Sequence, residues 1–281
     1  MPTMTAGATA DELQDLVDRY VTPEDMPTPE WLTRHHLTAP LPDLRSLKPS
    51  TRALKRAMDI TISVTLLVLL APLLLVIAAV VRLTSPGPVI FRQVRIGLNL
   101  RERPRDRRRE MSAGTAPLPG NADRREADPE RRRRPSYGKP FILYKFRTMQ
   151  VDAEKSGARF AVAKDPRVTP VGRFLRLSRI DELPQLWNVL SGEMSLVGPR
   201  PERPEFISGL SREIPGYLQR LRLKPGLTGL AQVVNGYDNH IESFRKKVAL
   251  DLLYLQNCSI TNDLKILLRT VGVIVTGKGA L

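Results

Sequence analysis

The sequence predicts an α/β fold that is mostly helical. It combines a re-entrant membrane helix-break-helix with a small cytosolic domain that has a short β-hairpin and amphipathic interfacial helices. Three observations lead to this prediction. An uncharged run of 22 residues, 60–81, carries a proline near its middle. The segment 85–97 reads as a turn followed by a strand with β-branched residues, and a second strand-like run covers 140–149. After residue 150, short helical patterns alternate with turns marked by Pro and Gly.

These patterns divide the 281 residues into four parts. They are a flexible acidic N-terminal extension (1–50), a membrane anchor with the first strand (51–98), a disordered arginine-rich insertion (99–138) and the domain with the candidate site (139–281). Up to Pro40 the extension holds seven acidic residues against two arginines. We favour a flexible tail there, with a docking segment as the alternative.

The formal net charge of +15 predicts an anionic partner, which could be nucleic acid, anionic membrane lipid or a phosphorylated substrate. Aromatic residues make up only 5% of the chain, which weakens a nucleic-acid interface built on stacking. We therefore expect no specific nucleic-acid partner. Cys258 is the sole cysteine, so no internal disulfide can form, as is typical of a reducing compartment.

The apolar run at 60–81 is long enough to cross a bilayer, which takes roughly 20 residues. Pro72 lies near its middle, removes one backbone donor and predicts a bend. Both flanks are basic, although positive charge normally stays on the cytoplasmic side. A helix that enters, breaks at Pro72 and leaves by the same face avoids that conflict. We therefore favour a re-entrant hairpin over a single span.

The insertion at 99–138 contains twelve arginines and seven acidic residues, with almost no aliphatic side chains. It cannot bury enough apolar area to fold alone. We interpret it as a solvated disordered loop, and the alternative is an electrostatic tether to anionic lipid.

Two helices are expected near the C-terminus, at 241–257 and 261–275. The second has an apolar stripe, which either packs in the core or lies at a membrane interface. Its members are Leu264, Leu267, Leu268, Val271 and Val275.

The candidate site centres on two adjacent carboxylates, Asp181 and Glu182, at a predicted helix start. The positive end of a helix dipole attracts carboxylates and phosphate alike. Asp181 could simply cap the helix. It could instead act as a nucleophile toward phosphorus, with Glu182 holding Mg²⁺. These alternatives stay open from spacing alone.

Arginines lie on both sides of this acid pair. Arg173 and Arg176 are three apart on the preceding helix, so they share a face. Arg200 is held between Pro199 and Pro201, which reduces the entropy lost when it binds an anion. Each could be a solvated surface residue, but together they suit phosphate binding.

Four segments in this order resemble the bacterial sugar transferase family. These are the monotopic phosphoglycosyl transferases, which include undecaprenyl-phosphate sugar phosphotransferases. The segments are KRAMDITISVTLLVLLAPLLLVIAAVVRLTSPGPVIFRQVRIG, KPFILYKFRTM, DPRVTPVGRFLRLSRIDELPQLWNVLSGEMSLVGPRPERPEF and LKPGLTGLAQV. The resemblance runs from about Leu54 to the C-terminus, apart from the insertion. It implies a catalytic phosphoglycosyl transferase domain at 139–281 and an anchor that re-enters at Pro72.

The resemblance also implies roles for individual residues. Asp181 would attack the sugar-linked phosphate and form a covalent intermediate, and Glu182 would bind Mg²⁺. Four basic residues match positions near the family's substrate phosphates: Lys145, Arg147, Arg176 and Arg200.

The implied partners are a UDP-sugar, a polyprenyl phosphate and anionic membrane lipid, and a homodimer is left open. The implied location is the bacterial inner membrane, with the catalytic domain on its cytoplasmic face. Two alternatives remain: a membrane-tethered binder of polyanions, and a scaffold whose site is inactive.

Overall fold

A computed structural model of the chain describes residues 47–99, 137–155, 157, 165–214, 216–234 and 241–276. Residues 1–46 of the predicted acidic extension, and 100–136 of the predicted arginine-rich insertion, lie outside these ranges. The rest is mostly helical, with one long apolar helix and two small two-stranded sheets.

The apolar run forms helix α1, Pro49–Thr84. A proline in its first turn suits a helix start, because that residue's N–H would be unpaired anyway. Ser85, which follows the last turn, is extended. The assigned helix continues through Pro72, so the bend stays a prediction. By length and composition α1 is sufficient to cross a membrane, with a mean hydropathy of 3.1 over an 18-residue window.

The two ends of α1 pack more closely on the globular domain than its middle does. Asp59 and Ser63 are buried near the N-terminal end, and Ile77 and Val81 near the C-terminal end. Between them one side of the helix, with Leu66, Leu67 and Leu74, is half-buried against the domain. Most of the other large apolar side chains there are exposed, and Leu75 reaches 72%. The protein thus leaves the centre of this helix for another apolar environment to cover.

Two predicted strands are confirmed as β1 (Ile90–Ile96) and β2 (Pro140–Phe146), which pair antiparallel with Gln93 opposite Leu143. Phe141 and Leu143, two residues apart, are buried on one face of β2, as the alternation of a strand requires. Phe146 lies on the opposite face, in a second buried cluster with Ile77, Val81 and Leu175.

A second sheet, not foreseen from the sequence, pairs β3 (Ser195–Val197) with β4 (Gly226–Thr228) in parallel. It depends on backbone contact between two glycine-bearing loops. A Cβ added at Gly226 would lie 2.1 Å from the backbone nitrogen of Gly198. Gly226 and Gly229 thus allow the 224–233 segment to approach the backbone of Gly198 in the 198–201 turn.

The remaining helices surround these strands. Thr169 caps the first one, since its hydroxyl accepts a 3.0 Å hydrogen bond from the Gly172 N–H. The α-helices are α2 (Pro170–Leu177), α3 (Leu186–Leu190), α4 (Pro204–Glu213), α5 (Leu230–Val234), α6 (Ile241–Gln256) and α7 (Ile260–Thr276), and the 3₁₀ helices are Ile180–Gln185 and Tyr217–Arg222.

The core forms where α6 packs against the strands and the Tyr217–Arg222 helix, and Tyr217, Tyr254 and Leu255 are almost completely buried there. On α7 most of the predicted stripe does not pack in the core: Leu264, Leu268 and Val271 are exposed, whereas Leu267 is half-buried against the core. Core packing was the wrong alternative for these exposed residues, and contact with a membrane interface stays a proposal.

Candidate active site

The acid pair lies on the 3₁₀ helix Ile180–Gln185, directly before α3. Arg179, just before this helix, has φ of 58° and is the one non-glycine residue with positive φ among those described. This left-handed residue turns the chain sharply between α2 and the acid pair, at a cost in backbone energy. Asp181 and Glu182 are then buried, with 6% and 8% of their surface exposed.

Glu182 is held between two cations from different parts of the chain. Its Oε1 accepts hydrogen bonds from Lys145 Nζ on β2 at 3.2 Å and from Arg200 Nη2 at 2.8 Å. Burial raises the pKa of this carboxyl, but the nearby charges of Arg200 and Lys145 outweigh burial and hold it well below its ordinary value. Glu182 is therefore fully ionised.

The carboxylate of Asp181 differs from that of Glu182 in its partners. No described side chain donates a hydrogen bond to it or forms an ion pair with it. Burial raises its pKa to about 6, Glu182 adds to the rise, and Lys145, Arg176 and Arg200 oppose it. Near neutral pH the Asp181 carboxylate is therefore mostly ionised, is poorly solvated and accepts no hydrogen bond from a described side chain. Such an oxygen is suited to nucleophilic attack.

Arg176 on α2 is the third cation acting on Asp181. Its Nε donates a 2.9 Å hydrogen bond to Thr148 Oγ1, which fixes the guanidinium stem near the end of β2. The structure therefore brings together five of the predicted residues: Asp181, Glu182, Lys145, Arg176 and Arg200.

Arg147, by contrast, is directed toward the end of α1. Its Nη2 donates to the Ser85 carbonyl at 2.7 Å and to the Ser85 hydroxyl at 2.6 Å. The guanidinium thus links the end of α1 to β2, and within the described part of the chain it forms no hydrogen bond with the acid pair. Pro72 lies within α1 and contributes no group to the acid pair.

Glu182 is the residue of the acid pair that could hold a magnesium ion. The described residues contain no group of three or more His, Cys, Asp or Glu side chains that could hold a metal. Mg²⁺ is, however, often bound by one or two carboxylates together with substrate phosphates. Glu182 Oε2 has only a 3.5 Å contact with Arg200 Nη1, so this oxygen can accept another cation. The residues fit an ion that arrives with a phosphorylated substrate.

Asn188 on α3 aligns the two sides of the site. Its side-chain amide donates to the Ile142 carbonyl at 2.7 Å and accepts from the Tyr144 N–H at 3.2 Å. These bonds join α3 to β2, so Lys145 lies next to Glu182. Asn188 was not predicted from the sequence, although an amide among apolar helix positions is a detectable signal.

A second polar cluster, also missed, fixes the start of α1. Lys55 Nζ contacts Asp263 and donates to the Val197 carbonyl at 3.0 Å. Asp59 Oδ1 accepts from the Leu196 N–H at 2.9 Å. Charged residues four apart at the edge of an apolar run could have indicated this contact.

The comparisons with known proteins agree with this architecture. A profile of the bacterial sugar transferase family matches residues 50–125 and 129–277. The chain is 40% identical over 239 residues to the UDP-N-acetylgalactosamine-undecaprenyl-phosphate N-acetylgalactosaminephosphotransferase of Aeromonas hydrophila, covering 84% of this chain and 48% of that protein. It is 40% identical over 228 residues to the UDP-glucose:undecaprenyl-phosphate glucose-1-phosphate transferase of Caulobacter vibrioides, with coverage of 80% and 71%.

A third relative is matched over nearly its whole length. The exopolysaccharide production protein PSS of Rhizobium leguminosarum bv. phaseoli is 38% identical over 233 residues, which cover 80% of this chain and 98% of that protein. The chain thus spans about half of the Aeromonas relative and almost all of the Rhizobium one. With the family profile matching most of its length, the chain belongs to the bacterial sugar transferase family.

Proposed function

We propose that the chain transfers a sugar-1-phosphate from a UDP-sugar to undecaprenyl phosphate, as the first membrane step in assembling a polysaccharide or glycoconjugate. Relatives at about 40% identity are named for this kind of reaction, with either N-acetylgalactosamine or glucose as the sugar. One observation carries the proposal: the buried carboxylate of Asp181 has no partner among the described side chains, whereas the adjacent Glu182 is held by two cations.

This difference assigns the two carboxylates different tasks. An oxygen of Asp181 attacks the sugar-linked phosphorus of the UDP-sugar. The bond from that phosphorus to the bridging oxygen breaks, and UMP leaves with the electron pair. An oxygen of undecaprenyl phosphate then attacks the same phosphorus, releases the Asp181 carboxylate and forms undecaprenyl diphosphate sugar. The sugar phosphate is held covalently on Asp181 between the two steps.

The cations around the acid pair bind the phosphates. Arg176 and Arg200 approach Asp181 from α2 and from the 198–201 turn, and Lys145 approaches from β2. Guanidinium groups suit phosphoryl oxygens because they offer paired donors. Glu182 keeps Arg200 and Lys145 in place before substrate arrives. When Mg²⁺ is bound, with Glu182 as its protein ligand, it offsets negative charge on the phosphoryl oxygens.

We also propose that α1 is a re-entrant anchor. Fourteen positions separate Ser63 from Ile77, which corresponds to about 21 Å of helix. The hydrocarbon core of a bilayer is about 30 Å thick. Because both ends pack on one domain, the exposed stretch between them is too short to span that core. A helix that dips into one leaflet and returns, with Pro72 at the bend, accounts for these contacts.

The site is expected to lie at the membrane surface. Phe174, Leu177 and Trp187, which flank the acid pair in sequence, are exposed apolar side chains, as is Leu268 on α7. Their burial in a lipid interface would bring Asp181 close to the headgroup of the acceptor. With basic residues at both ends of α1, we place the domain on the cytoplasmic face of the inner membrane, next to anionic lipid.

The test is incubation of the protein with a panel of UDP-sugars, undecaprenyl phosphate and Mg²⁺. UMP release and a lipid product heavier by one sugar phosphate are expected with at least one donor. When the acceptor is omitted, mass spectrometry should find a sugar phosphate on the peptide that contains Asp181. A product formed without any adduct, even under single-turnover conditions, would contradict the covalent route.

The anchor has its own test, in a Cys258→Ser background. Cysteines placed by Lys48→Cys and Thr84→Cys should react with a membrane-impermeant reagent from the same side of sealed vesicles. Labelling of the two from opposite sides would establish a single span.

A further inference from the structure

A buried ion pair lies behind the 198–201 turn. Arg220, in the Tyr217–Arg222 helix, and Asp251, on α6, are only 5% and 2% exposed. Arg220 Nε donates to Asp251 Oδ2 at 2.9 Å, and its Nη2 lies 2.7 Å from the same oxygen. Arg220 Nη1 is also 3.3 Å from the Tyr217 hydroxyl. These bonds fix the orientation of the guanidinium plane.

The fixed guanidinium contacts the backbone of the substrate-binding arginine. Arg220 Nη2 donates a 3.0 Å hydrogen bond to the carbonyl oxygen of Arg200. The carbonyl of Pro201, one residue later, accepts a 2.9 Å bond from Arg95 Nη1 on β1. The Gly226 N–H donates to the Pro199 carbonyl at 2.8 Å. Three consecutive carbonyls of this turn are therefore held by three separate elements.

Stability alone does not explain a buried pair of this kind. The cost of desolvating two charges offsets their attraction, and well-packed apolar residues often replace such a pair without loss of stability. A hydrogen bond to one particular carbonyl is, by contrast, something apolar residues cannot supply. Arg220 of this pair bonds the backbone carbonyl of Arg200, and the side chain of Arg200 in turn bonds Glu182.

We propose that Arg220, oriented by Asp251, is a positioning residue for the transfer reaction. It sets the backbone of Arg200, so that the Arg200 guanidinium meets both Glu182 and the phosphates of the donor. Arg220 itself touches no substrate. The inference rests on the proposed function, because its effect is exerted through Arg200.

The test is a double-mutant cycle between Arg220→Lys and Arg200→Ala. Lysine keeps the positive charge next to Asp251. It lacks the planar guanidinium, whose several N–H groups bond the Asp251 carboxylate and the Arg200 carbonyl at the same time. In the wild-type background, Arg220→Lys should lower kcat/KM for the UDP-sugar by about tenfold or more. In the Arg200→Ala background the same change should cost less than about twofold, because the residue being positioned is gone.

Two further variants separate positioning from folding. Leu255→Ala, one helical turn after Asp251, removes a buried apolar side chain but no polar group of the pair. It should lower the thermal midpoint while leaving KM for the donor unchanged. Arg220→Met/Asp251→Leu replaces the pair by apolar residues and should retain a cooperative thermal transition, yet lose as much kcat/KM as Arg220→Lys does.

The outcomes are distinct. A wild-type protein that releases no UMP from any UDP-sugar overturns the proposed function and this inference with it. An active wild type overturns the inference alone if the losses from Arg220→Lys and Arg200→Ala simply add. Full activity of Arg220→Met/Asp251→Leu would do the same.

Discussion

Two buried polar regions of this protein contain the same types of residue but have different roles. At the start of α1, Lys55 contacts Asp263, and Asp59 accepts hydrogen bonds from Ser195 and Leu196. Each carboxylate there has a donor. In the acid pair, Glu182 has two cationic partners, whereas Asp181 has none among the described side chains.

The difference shows how a buried carboxylate becomes reactive. A carboxylate that accepts strong hydrogen bonds has its charge stabilised and its lone pairs engaged, so it serves as a structural anchor. A carboxylate with three cations nearby, none of them bonded to it, stays ionised and available.

Asp181→Asn removes the proposed nucleophile while keeping its volume. UMP release in the presence of donor and acceptor should fall by at least about a thousandfold, because the amide oxygen is a poor nucleophile. The thermal midpoint should be unchanged or higher, since a buried carboxylate without a partner is replaced by a neutral group. If turnover stays within tenfold of the wild type, Asp181 is not the nucleophile. Its contrast with the carboxylates near α1 then has no bearing on reactivity.

Lys55→Met disrupts the structural cluster. It leaves Asp263 buried without its cation, and the protein should lose about 3 kcal/mol of stability, read as a lower thermal midpoint in detergent. The molecules that remain folded should keep the wild-type KM for the UDP-sugar. The matched variant Lys55→Met/Asp263→Leu should regain much of the stability. A selective loss of donor binding in Lys55→Met would instead give this cluster a role in the reaction.

Glu182→Gln removes the charge that holds Arg200 and Lys145. We expect kcat/KM to fall about a hundredfold, because both cations lose their anchor and the proposed magnesium ligand is lost. A titration of activity against Mg²⁺ should shift to higher concentrations than in the wild type. If the magnesium dependence is unchanged, Glu182 serves only to position the two cations.

The sequence predicted the elements of this structure better than their contacts. The apolar run, the β1 and β2 strands and the two C-terminal helices are all present, because each has a strong local pattern. The parallel pairing of β3 with β4 has no such pattern, since it depends on two glycine loops far apart in the chain.

The candidate site was predicted by the same kind of local information. Asp181, Glu182 and Arg200 occur in short motifs, whereas Asn188, Arg220 and Asp251 act across 20 residues or more. Arg147 illustrates the limit of a motif. It lies two residues from Lys145, yet it bonds Ser85 at the end of α1, while Lys145 bonds Glu182.

Tyr254→Phe gives the smallest expected effect and the most selective one. The Tyr254 hydroxyl donates to Asp263 Oδ1 at 2.6 Å and accepts from Lys55 Nζ at 3.1 Å, so its removal deprives both of one partner. We expect a loss of about 1 kcal/mol of stability, because Lys55 and Asp263 still contact each other. Activity should be unaffected, since the hydroxyl lies in the structural cluster. A tenfold fall in kcat with an unchanged thermal midpoint would mean that this cluster transmits its geometry through Val197 to the adjacent 198–201 turn, and that the two regions act as one.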